Sequence, residues 1–87
     1  MAKAFLYYSI EPEGLWTSEL FTPRKINAIV RAQKGRNVYV IRTRLGETKI
    51  RRITRARTRD GMIEVLVLDT GAWLPVSPEL GDSLEVR

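Results

Sequence analysis

The stretch Thr54-Arg55-Ala56-Arg57-Thr58-Arg59-Asp60-Gly61-Met62-Ile63-Glu64-Val65-Leu66-Val67-Leu68 decides the fold. Asp60-Gly61 separates two alternating runs, and a type I′ turn, whose twist matches a hairpin, needs positive φ at both central residues. The dipeptide therefore predicts an antiparallel hairpin joining residues 54–59 to residues 62–68. In that register Arg59 faces Met62, Thr58 faces Ile63, Arg57 faces Glu64, Ala56 faces Val65 and Arg55 faces Leu66. Side chains alternate across a strand, so Arg55, Arg57 and Arg59 share one face.

Working upstream, residues 48–59 could form a basic helix, because Ile50 and Ile53 are three apart. The β-branched Thr48, Ile50, Ile53, Thr54 and Thr58 favour a strand, with a bulge near Arg51-Arg52 where the alternation slips. Residues 37–44 place Val38, Val40, Arg42 and Arg44 on one side and Tyr39, Ile41 and Thr43 on the other, and Leu45-Gly46-Glu47 reads as a hairpin loop. Downstream, residues 62–68 become apolar on both sides, the pattern of a central strand covered on both faces, with a helix as one cover. Asp69-Thr70-Gly71 ends that strand, Trp73 and Leu74 cap the core, and Gly81-Asp82 turns the chain into a short last strand at residues 83–86. This turn, leading into alternating Leu84 and Val86, resembles a feature of many small barrels and identifies no single family.

At the other end, residues 3–10 read as a first strand ended by Glu11-Pro12-Glu13-Gly14. Phe5 and Tyr7 lie opposite Leu6 and Tyr8, and aromatic residues in so small a chain favour the core. Trp73 is read as core, and Trp16 fits either a core lid or an anchor for a partner. Thr22-Pro23 has the form of an N-cap followed by proline at the first helical position, and Lys34-Gly35 that of a basic last turn with a glycine stop. A helix of about twelve residues is expected between them, packing through Ile26, Ile29, Val30 and the aliphatic part of Gln33, with Arg24, Ala28 and Arg31 turned away. The whole reads as one small α+β domain over residues 1–87, with about five mainly antiparallel strands packed on one helix; a partly open barrel is compatible with the same pattern.

Of the 87 residues, 44% are hydrophobic and 29% charged, the composition of a folded chain. No apolar run approaches the roughly 20 residues needed to cross a bilayer, and the N-terminus carries no secretory pattern, so a cytoplasmic location and no membrane are expected. Cysteine and histidine are both absent, which excludes disulfides, thiolate nucleophiles and sulfur-based zinc sites and removes the commonest general base and metal ligand. Phosphate-binding glycine loops, nucleophile elbows and calcium loops are also missing, so no cofactor or metal is expected. Glu47-Thr48-Lys49 matches the E-x-K half of a metal-dependent nuclease site, but no Asp precedes Asp60 to complete it.

Charge is segregated along the chain. Residues 24–59 hold thirteen Lys and Arg against Glu47 alone, whereas residues 60–86 hold six acids and no base. The two segments either neutralise each other in the fold or leave the basic one for an anionic partner. Arg42, Arg44, Arg52, Arg55, Arg57 and Arg59 form a comb, joined by Lys49, on the predicted ribbon, with only Glu47 and Glu64 nearby in sequence. Guanidinium groups fork onto phosphates and stack on bases, and a two-stranded ribbon fits a major groove or tracks a single strand. The plain alternative is a solvated face with pairs such as Arg57 and Glu64, each worth at most about 1 kcal/mol.

Arg24 and Lys25 add cations at a helix N-terminus, where free N–H groups attract phosphate, and Tyr7 adds a ring for stacking. The expected function is therefore nucleic-acid binding, DNA or RNA, without turnover. A protein-interaction module docking on an acidic partner, as an inhibitor or small subunit, is the second reading. The third is a toxin-type ribonuclease using Tyr39 with Arg52 or Arg55 in place of histidine. A symmetric homodimer is as compatible with the sequence as a monomer.

Overall fold

Asp60 and Gly61 do adopt positive φ, 50° and 74°, and the hairpin they close has the register their chemistry predicts, with Arg55, Ala56, Arg57, Thr58 and Arg59 opposite Leu66, Val65, Glu64, Ile63 and Met62. The computed structural model describes residues 2–10, 13–32 and 34–87. The expected turn residues Glu11 and Pro12 and the helical Gln33 lie outside the described residues.

Seven strands, one α-helix and a short 3-10 turn follow one another as β1 (Ala4–Ile10), β2 (Thr17–Phe21), α1 (Pro23–Ala32), β3 (Val38–Arg44), β4 (Glu47–Arg59), β5 (Met62–Val67), β6 (Trp73–Pro75), the 3-10 turn Pro78–Leu80 and β7 (Asp82–Val86). They form a single small α+β domain. About five strands were expected; the sheet has seven, in the order β2-β1-β7-β3-β4-β5-β6, and it is mixed rather than wholly antiparallel, because β1 runs parallel to β7. It curls without closing. The Arg42 guanidinium on β3 donates to the Pro75 carbonyl of β6, 3.0 Å away, although β4 and β5 lie between those strands in the sheet.

The curl gives the sheet an inner, buried face and an outer one. Leu6, Phe21, Val38, Val40, Ile53, Ala56, Ile63, Val65, Leu84 and Val86 fill the inner side, and Ile26 of α1 is fully buried among them. Ile29 and Val30 pack against this core as the helical stripe predicts, and Thr22 caps the helix by accepting the Lys25 N–H at 3.1 Å. The expectation that β5 is covered on both faces, with the helix as one cover, is overturned. The helix packs on β4, and Met62 on the outer side of β5 is 44% exposed.

β4 outruns β3. Their pairing ends at Val38 and Ile53, and beyond it α1 substitutes for the missing strand: Asn27 donates Nδ2–H to the Ala56 carbonyl at 2.9 Å and accepts the Ala56 N–H on Oδ1 at 2.8 Å. One amide thus satisfies both backbone groups of a buried residue, as a neighbouring strand would.

Burial, with a smaller contribution from Glu19, pushes the Tyr8 phenol above its ordinary value of 10.0. Replacing Asn27 by Ala strands the Ala56 N–H and carbonyl in a site that is 6% exposed. A loss of about 2 kcal/mol is expected, read as a lower urea midpoint with an unchanged m-value.

Candidate nucleic-acid interface

The arginine comb is split by strand geometry. Arg42, Arg44, Lys49 and Arg51 share the inner face with Val38 and Val40, since Arg42 pairs with Lys49, Val40 with Arg51 and Arg44 with Glu47. Tyr39, Ile41, Ile50 and Arg52 occupy the outer face. Regular alternation would then return Arg55, Arg57 and Arg59 to the inner side. A register shift between Ile53 and Arg55 prevents this, sending Ala56 into the core and the three arginines outward with Arg52. The expected bulge exists, a few residues further along than Arg51-Arg52.

Two members of the comb are matched by acids from the last third of the chain. Asp82, whose side chain is inaccessible to solvent, accepts from Arg42 Nε at 2.6 Å and Nη2 at 2.7 Å, and from the Ser77 N–H at 2.7 Å. The Asp82 hydrogen bond raises the Arg42 pKa further above its already high value. Arg42 is therefore structural and has no free fork for a phosphate. Arg57 Nε lies 2.9 Å from Glu64 Oε1, and its guanidinium carbon sits 3.9 Å from the centroid of the Trp73 ring. Trp73, read from the sequence as core, is half-buried and serves as the platform for this cation.

Arg52, Arg55 and Arg59 are exposed on the outer face, and their side chains have no hydrogen-bond or ion-pair partner among the described residues. The described strand acids on this face, Glu64 and Glu85, are engaged: Glu64 holds Arg57, and Glu85 accepts from Arg87 at 2.7 Å. Arg44, Lys49 and Arg51 instead line an inner-rim cleft of about 330 Å³ with Val40, Leu74 and Glu47. The turn at its lip is a second positive-φ pair, Leu45 at 53° and Gly46 at 76°.

The remaining expected residues do not join the ribbon. Lys25 bonds Glu19 at 3.1 Å and lies 4.7 Å from the Phe21 ring centroid, on the β2 side of the molecule. Arg24 is exposed beside Asn27, Arg31 and Thr58, near the far end of β4. Tyr7 is on the outer face but on β1, three strands from β4, about 14 Å at ordinary strand spacing. Its row across the sheet runs through Ser83 and Ile41 to Ile50, the same-face neighbour of Arg52.

Phe5 and Tyr7 are not core, contrary to the expectation from size. They are 66% and 63% exposed, and Trp16, which fitted two readings, is 47% exposed. The period-two pattern had set Phe5 and Tyr7 opposite Leu6, but which side of the strand is buried depends on where the helix lies. Arg51 was not among the expected site residues, and the alternation of Val38, Val40 and Arg42 was the signal that could have placed it. Tyr39 and Arg52 are cross-strand partners, as the ribonuclease reading needs. The Tyr39 hydroxyl, however, accepts from Asn37 Nδ2 at 3.4 Å, and no carboxylate among the described residues bonds it.

Among the described residues no group of three or more potential ligands could hold a metal, and no helix is long and apolar enough to cross a membrane. Comparison with known proteins yields no matching family, no matching curated protein and no matching solved structure.

Arg42 and Arg44 separate structural from free cations. Arg42→Ala leaves a buried carboxylate without its counter-charge and is expected to cost about 3 kcal/mol in urea unfolding, whereas Arg44→Ala should stay within about 0.5 kcal/mol of the parent.

Proposed function

We propose that this chain is a small nucleic-acid-binding protein that works without turnover and grips phosphates with Arg52, Arg55 and Arg59 on the outer face of the sheet. The observation that carries the reading is the outer face of β4 and its neighbours, where Glu64 and Glu85 already hold Arg57 and Arg87 while the exposed side chains of Arg52, Arg55 and Arg59 hold nothing. A polyanion supplies the counter-charge there, and each guanidinium can bind phosphate oxygens through two parallel N–H groups. Arg57, fixed between Glu64 and Trp73, keeps the middle of this row rigid.

A protein-interaction module docking on an acidic surface is the second reading, favoured by one observation. Free cations line the inner-rim cleft as well, where Arg44, Lys49 and Arg51 surround an apolar floor of Val40 and Leu74. A folded acidic partner could engage that cleft.

Fluorescence anisotropy with labelled DNA and RNA over a range of salt concentrations tests the first reading. Binding should weaken as salt rises, and the Arg52→Ala/Arg55→Ala/Arg59→Ala variant should lower the slope of log K against log salt by roughly 2 to 3. The inner-face variant Arg44→Ala/Lys49→Ala/Arg51→Ala should keep most of the slope. An outer-face variant that binds like the parent sinks the proposal, and selective loss in the inner-face variant moves the site to the cleft.

A further inference from the structure

We propose that the outer face takes single-stranded rather than duplex nucleic acid, with unpaired bases stacked on Phe5, Tyr7 and Trp16 and the phosphate chain running toward Arg52 and Arg55; this rests on the nucleic-acid reading above. The three rings are 66%, 63% and 47% exposed, and none is needed by the core, which Leu6, Phe21 and Ile26 fill from the other side. Large apolar rings gathered on an open face mark a binding surface.

The local geometry suits stacking. Tyr7 has Ser18 opposite it on β2 and Ser83 opposite it on β7, so small side chains flank the ring on both neighbouring strands and its faces stay open. Phe5, Tyr7, Trp16, Ser18, Thr43 and Ser83 line a depression of about 490 Å³, within the range of small-ligand sites. The Ser18 hydroxyl, with no hydrogen-bond partner among the described residues, is free to bond a base edge.

Charge and distance fit the same occupant. From Tyr7 the outer face crosses Ser83 and Ile41 to Ile50, beside which Arg52 stands free, a path of about 14 Å that a few nucleotides can span. Asp82, the acid lining the depression, is neutralised by Arg42. Arginine binds the phosphates of any nucleic acid, but a protein ring can stack only on a base whose face is free, which a duplex hides. A second copy of the chain is a poorer occupant. Packing two outer faces together sets two unmatched arginine rows against each other, at a like-charge cost.

The test uses the whole protein with labelled single strands and the matching duplexes, read by anisotropy, with light scattering alongside. Phe5→Ala and Tyr7→Ala should each weaken single-strand binding about tenfold and leave duplex binding unmoved. Phe5→Tyr, which keeps a ring, should bind like the parent. Circular dichroism melts check that these exposed substitutions leave the fold intact.

Unchanged single-strand binding in the ring variants, with loss in the Arg52/Arg55/Arg59 variant, overturns stacking and leaves the phosphate reading standing. No binding of any nucleic acid by the parent overturns both. A parent dimer made monomeric by Phe5→Ala/Tyr7→Ala assigns the rings to self-association and also overturns stacking.

Discussion

The two-pronged contact between Arg42 and Asp82 is where the basic middle of the chain meets its acidic last third. It joins neighbouring strands β3 and β7 and extends beyond them, since Asp82 also takes the Ser77 N–H and Arg42 reaches the Pro75 carbonyl. The carboxylate, shut off from water, accepts three hydrogen bonds, two from Arg42 and one from the Ser77 N–H. Such a pair is retained only while its geometry is good, because either charge left alone in that site is strongly unfavourable. Its geometric effect is to draw the chain after β6 back toward β3 and hold the curl of the sheet.

The curl decides which surfaces are left for binding. One ten-residue helix is the molecule's only α-helix among the described residues, and it lies toward the inner side, where Ile26 joins the core and Asn27 finishes the ladder that β3 leaves short. On the outer face Ser9 and Glu85 are buried, but Phe5, Tyr7, Arg52, Arg55 and Arg59 meet solvent. The register shift after Ile53 then fixes the sign of that surface. One extra residue turns Ala56 inward and carries Arg55, Arg57 and Arg59 to the same side as Arg52.

Local chemistry was readable from the chain, and long-range pairing was not. Asp60-Gly61 announced its hairpin and full register because a turn needing two positive φ values admits few residue types. Thr22-Pro23 announced the helix start for a similar reason. Residues 17–21, Thr-Ser-Glu-Leu-Phe, carry no comparable mark, and they are a strand because β1 pairs with them. Residues 73–75 are a three-residue edge strand ending in proline, too short to show alternation. The comb looked like one surface because its arginines are close in sequence. Separating them required knowing that the alternation slips, which sends Arg55, Arg57 and Arg59 outward, and where it slips, which decides the side taken by Arg52.

β7, the last strand along the chain, lies inside the sheet, parallel to β1 on one flank and antiparallel to β3 on the other. The hairpin of β1 and β2 and the meander from β3 to β6 therefore share no strand pairing until residues 82–86 arrive between them. Contacts that bridge most of the sequence close late and slowly, because their loop entropy is spent before any reward. Until residues 82–86 pair, the two half-sheets stay unjoined and the edges of β1 and β3 that β7 covers are open.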